Sequence, residues 1–75
     1  MMDLFRELWL ETRDYYAPTT STPKAVRMAV DAMNRAGHEA VTAGPDGLMV
    51  DGELFTLKKV KGHSHFDLRQ HGVRI

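Results

Sequence analysis

The stretch AGPDGLMVDGELFTLKKVKG, Ala43 to Gly62, decides the fold. It is punctuated by Gly44-Pro45-Asp46-Gly47, Asp51-Gly52 and Lys61-Gly62, and between these marks apolar and polar residues alternate with period two. Such alternation belongs to half-buried strands, whose successive side chains point to opposite faces. Asp-Gly is among the strongest two-residue hairpin signals, because both central residues of a type I′ turn take positive φ. Lys-Gly is weaker, because there a lysine must do so. Reading each mark as a hairpin predicts a register. A four-residue loop at 44–47 pairs Ala43 with Leu48 and Val41 with Val50. The Asp51-Gly52 turn pairs Val50 with Glu53 and Leu48 with Phe55. The Lys61-Gly62 turn pairs Leu57 with Phe66 and Phe55 with Leu68. The three turns then agree on one apolar face made of Val41, Ala43, Leu48, Val50, Phe55, Leu57, Phe66 and Leu68. A slip of one residue at any turn would move that strand's apolar set to the other side.

Upstream the period lengthens. Leu4, Phe5, Leu8, Trp9, Thr12, Tyr15 and Tyr16 recur at helical spacing, with Asp3, Glu7, Leu10 and Asp14 opposite. This predicts an amphipathic helix over 3–16, capped by Asp3. The segment APTTST, Ala17 to Thr22, is a loop. Thr22 is placed to cap a second helix, and Pro23 to occupy its first position, where a missing N–H costs nothing. That helix is expected over 23–36, with Val26, Ala29, Val30, Met33 and Ala36 inward and Gly37 as a left-handed stop. Met28 and Met33 read as core filler. The expected architecture is α+β: two N-terminal helices packed on one face of a four-stranded antiparallel β-meander, a single small domain over 1–75.

With 43% hydrophobic and 27% charged residues, the composition is that of an ordinary globular chain. Without cysteine there is neither a disulfide framework nor a thiolate metal site. No run approaches the ~18 apolar residues of a membrane span. The N-terminal MMDLFRELWLE carries acids where a signal peptide needs Lys or Arg. The expected location is the cytoplasm, with no membrane contact. Net charge is zero but unevenly spread. Residues 38–55 hold Glu39, Asp46, Asp51 and Glu53 and no Lys or Arg, whereas 56–75 hold Lys58, Lys59, Lys61, Arg69 and Arg74 against Asp67 alone. A basic end attracts acidic partners, or keeps a strand edge from aggregating.

The same end contains GHSHFDLRQH, Gly62 to His71, with three of the four histidines. In the register above, His63, His65, Asp67 and Arg69 point away from the helices. Lys58 then lies opposite His65, Thr56 opposite Asp67, and Met49 opposite Leu54. The run H-S-H-F-D resembles the H-x-H-x-D segment of the metallo-β-lactamase superfamily. Leu68 stands where that family carries a further histidine, and the chain is too short for its fold. Residues i, i+2 and i+4 of a strand span roughly 13 Å, too far to converge on one ion without a bulge. No metal and no cofactor is therefore expected at His63, His65 and Asp67. The segment K-G-H-S-H-F, followed by Q-H-G-V-R-I, is similar to the HicA toxin family of small RNA-cleaving domains. That resemblance implies His65 as an acid or base. The order here is His-Ser-His, however, an acidic hairpin separates helix from motif, and only Lys58 or Asp67 offers a second group.

Nucleic acid would be met by Lys58, His65, Arg69 and Lys61 through phosphates. No aromatic projects from that face in this register, so base stacking lacks support. A protein partner requires the least special geometry, because Met49 and Leu54 beside charge make a docking surface. The tail Val73-Arg74-Ile75 alternates like a strand that can pair with its own sheet or with another chain, a homodimer included. The expectation is a small non-enzymatic protein-interaction module, of a size that a phage or mobile element encodes. It would bind through Met49, Leu54, Lys58, His65 and Arg69 on an open sheet face. The alternatives are a nucleic-acid-binding protein using the basic C-terminal strands and a HicA-like RNA-cleaving toxin.

Overall fold

The computed structural model describes residues 3–73. Two helices, α1 (Leu4–Thr12) and α2 (Thr22–Arg35), precede four strands, β1 (Ala40–Thr42), β2 (Gly47–Val50), β3 (Glu53–Lys59) and β4 (Phe66–Val73). The strands form one antiparallel sheet in the order β1-β2-β3-β4, so the fold is the α+β meander that the turn chemistry predicts. α2 lies on β1, β2 and β3, while α1 packs on α2 and β4. Leu8, Val26, Ala29 and Met33 from the helices meet Leu48, Val50, Phe55, Leu57, Phe66 and Leu68 from the sheet in one core. No helix among the described residues is long and apolar enough to cross a membrane.

α1 starts as its cap predicts, with Asp3 Oδ1 accepting the Arg6 N–H at 2.7 Å. It ends at Thr12, short of residue 16. Beyond it Tyr16 bridges to His65, and the Ala17 N–H donates to the Ser64 carbonyl at 3.1 Å. Backbone committed to a sheet edge cannot also extend a helix. Trp9 is 46% and Tyr16 54% exposed, although helical spacing puts both on the inner stripe. α2 is capped by Ser21, not Thr22: the Lys24 N–H donates to Ser21 Oγ at 3.3 Å, and Pro23 follows in the first turn. Its other end closes as expected at Gly37, φ 98°, with the His38 N–H donating to the Met33 carbonyl at 3.0 Å. Ala25 and Ala32 join Val26, Ala29 and Met33 in the buried stripe, whereas Met28 and Ala36 are exposed.

One of the three hairpins forms as predicted and two depart from prediction. At Asp51-Gly52 both residues take positive φ, 51° and 84°, and the pairs Val50–Glu53 and Leu48–Phe55 form as predicted. At 44–47 the loop is one residue tighter: the Ala43 N–H donates to the Gly47 carbonyl at 2.8 Å, and Gly44 takes φ 81°. Ala40 therefore pairs with Val50, and Val41 with Met49. This one-residue shift corrects the expected face of β1. Ala40 is buried and Val41 stands outward at 61% exposure, while Ala43 is half-buried. At Lys61-Gly62 a turn forms, with His63 N–H donating to Val60 O at 3.0 Å and Gly62 at φ 87°. Lys61 does not take positive φ, so the turn is not type I′ and the strands part further on. Leu57 pairs with Leu68 and Lys59 with Phe66. The register moves by two, which preserves sides, so Phe66 and Leu68 remain inward and buried.

β4 continues through Gly72 and Val73, with Val73 paired to Glu53, so this part of the tail joins its own sheet. Arg74 and Ile75 lie outside the described residues. A β-bulge at Leu54/Phe55 moves the partner from Gly72 to Gln70, leaving His71 as the extra residue. At the opposite edge, the Asn34 side chain accepts the Ala40 N–H at 2.9 Å and donates to the Ala40 carbonyl at 3.0 Å. A side-chain amide thus stands in for a neighbouring strand at the end of β1.

Candidate functional site

The sheet face away from the helices is built from the residues that alternate with the core. Val41 of β1, Met49 of β2 and Leu54 of β3 pair successively across three strands. Val41 is exposed and the other two are half-buried. Together they form one apolar row of cross-strand neighbours. Met49 and Leu54 are opposite each other as the sequence predicts. Val41 was missed, because the four-residue loop reading turned it inward. Gly44 opens the loop in either reading, so the sequence carries no signal that selects the three-residue form.

A charged and hydrogen-bonding half adjoins this row. Thr56 pairs with Arg69 and Lys58 with Asp67. These pairs replace the expected Thr56–Asp67 and Lys58–His65 pairs, because the β3–β4 connection is wider than a two-residue turn. Arg69 Nε donates to Asp67 Oδ2 at 3.1 Å, and Thr56 Oγ1 shares a hydrogen bond of 2.8 Å with His71 Nε2 at the bulge. Of the five residues expected to act together, Met49, Leu54, Lys58 and Arg69 share this face. His65 lies outside the β3–β4 ladder: it precedes β4, is exposed, and bridges to Tyr16.

His65 instead borders a cleft of about 340 Å³, lined by Trp9, Arg13 and Asp14 from the end of α1 and by His63, His65 and Asp67 from the approach to β4. A shallower depression beside it is lined by Lys59, Lys61 and His63. Helical spacing had hidden Trp9 in the core, so its place in a cleft was not legible from the sequence. Among the described residues, no three His, Cys, Asp or Glu side chains are grouped to hold a metal ion.

The fourth histidine, His38, occupies a different junction. Its Nδ1 lies 2.6 Å from Asp51 Oδ2 and its Nε2 3.0 Å from Glu7 Oε1. Only an imidazolium donates to both carboxylates. The hydrogen bonds to Asp51 and then Glu7 raise its pKa above the usual 6.5, against a smaller opposing effect of burial. Asp51 is held below 3.8, first by the Glu39 N–H at 2.9 Å and then by His38. The cluster ties α1, the segment after α2 and the β2–β3 turn together, a structural role.

Compared with known proteins, the chain matches no family model, no curated protein and no solved structure.

Proposed function

We propose that the protein is a small protein-interaction module that binds through its open sheet face. Val41, Met49 and Leu54 make the apolar contact, with Lys58 and Arg69 as the charged flank. The observation that carries this reading is the cross-strand row Val41–Met49–Leu54 on a face that α1 and α2 leave uncovered. Apolar contact supplies most of the binding energy at the centre of such an interface, and flanking charge sets orientation and encounter rate. His65 lies beyond the end of the β3–β4 ladder, so a partner reaches it only by extending past Lys58 and Asp67.

The test compares Leu54→Ser with Lys58→Glu in affinity capture, with the bound material identified. A protein partner is expected to be lost with both variants, by faster dissociation for the first and slower, salt-sensitive association for the second. Nucleic acid that is lost only with Lys58→Glu would contradict the proposal, because phosphate contacts are indifferent to a leucine.

A further inference from the structure

Away from the open face, the β4-edge cleft combines three features that the core does not explain. First, Trp9 is 46% exposed within it. The helix that buries Leu8 thus leaves nearly half of its one indole uncovered beside a concave site. Second, Lys59, Lys61 and His63 line the adjoining depression, and His63 belongs to both hollows. The imidazole hydrogen bonds among the described residues are those of His38 and His71, so His63 and His65 are uncommitted. Third, the carboxylates in the cleft are partly engaged: Asp67 by Arg69 at 3.1 Å, and Asp14 more loosely by Arg13 at 3.9 Å.

We propose that this cleft binds a nucleoside phosphate unit, with its base stacked on Trp9 and its phosphate held by Lys59, Lys61 and His63. Bases stack on aromatic side chains whatever their sequence, because every base has a π-face. The carboxylates keep phosphate out of the cleft itself and direct it to the lysine side. They also accept hydrogen bonds from base amino groups, as Asp and Glu do from cytosine. An acidic peptide would satisfy the lysines but leave Trp9 unused and meet Asp14 and Asp67 as repulsion. The exposed aromatic that the sequence register did not supply is thus provided by α1. A free nucleotide and a nucleotide within a single strand both present this chemistry.

Trp9 is the sole tryptophan of the chain and reports on its own site. Guanosine 5′-monophosphate and a short single-stranded RNA are each titrated into the full chain while tryptophan emission is followed. Saturable quenching by either is expected. Equal affinity for the two identifies a free nucleotide as the ligand, and tighter binding of RNA identifies a strand. By calorimetry, Trp9→Ala is expected to weaken binding about five- to a hundredfold, the range that alanine substitution gives for a stacked base. The double variant Lys61→Ala, His63→Ala changes only exposed side chains, and is expected to weaken binding and flatten its salt dependence. It keeps the proposal testable if Trp9→Ala fails to fold. The proposal is overturned if neither ligand gives saturable quenching with folded protein. Unchanged affinity in the double variant, or equal quenching by an acidic peptide without aromatic residues, overturns it too.

Discussion

His38 holds two carboxylates from distant parts of the chain, and its protonation is therefore coupled to folding. Its pKa is raised in the folded state, so its contribution is complete below 6.5 and fades as pH rises through the folded value. The lowered pKa of Asp51 works in the other direction: its contribution is complete above 3.8 and is lost as pH falls through the folded value. Urea titrations of wild type and His38→Ala should therefore show a stability gap that narrows as pH rises above 6.5 and through the raised folded-state pKa. A gap that widens with pH would mean the imidazole is bound neutral. Gly47 sets a second test at this scale. A Cβ there would run into the Ala43 carbonyl, with the Phe55 carbonyl at 3.4 Å on another side. Gly47→Ala is expected to cost about 1–3 kcal/mol in denaturant titration, as overpacking does. Gly47 was legible as part of a turn but not as a close approach to the Ala43 carbonyl, and the role of His38 was not legible, because its partners come from places that only the folded chain brings together.

At the scale of elements, what could be read from sequence depended on how strictly each turn dictates its geometry. Asp51-Gly52 accepts two positive φ values, and its register followed directly. Lys61-Gly62 does not, and the wider 60–65 connection moved the β3–β4 pairs from Phe55 to Lys59 by two while leaving Phe66 and Leu68 on the correct side. The loop after Ala43 admitted two lengths, and the choice between them reverses Val41. That reversal is measurable. Val41→Ser should change stability by no more than about 0.5 kcal/mol, as expected for an exposed position, whereas Phe55→Ala should cost about 3–5 kcal/mol. A large loss with Val41→Ser would restore the four-residue loop. The edge of β1 gives a further prediction. Asn34→Ala removes both hydrogen bonds to Ala40 and should cost about 1–3 kcal/mol. It should also increase self-association on sedimentation, because a bare strand edge invites pairing.

Across the whole molecule, the helices cover one face of the sheet and leave two exposed features, the open face and the cleft at the β4 edge. The first was half legible. Met49, Leu54, Lys58 and Arg69 follow from alternation alone, but Val41 needed the true loop length. The cleft was illegible, because helical periodicity assigns Trp9 inward and cannot say that Tyr16 and Ala17 pair with the start of β4. The most direct test of the open face uses two methionines as internal reporters. Met49 lies in the apolar row, and Met28 is 37% exposed on α2. Each thioether's oxidation by peroxide can be timed in the free chain and in the complex recovered by affinity capture. Docking on the open face should slow oxidation of Met49 and leave Met28 unchanged; protection of Met28 with no change at Met49 would place the partner on the helices and contradict the proposed interface.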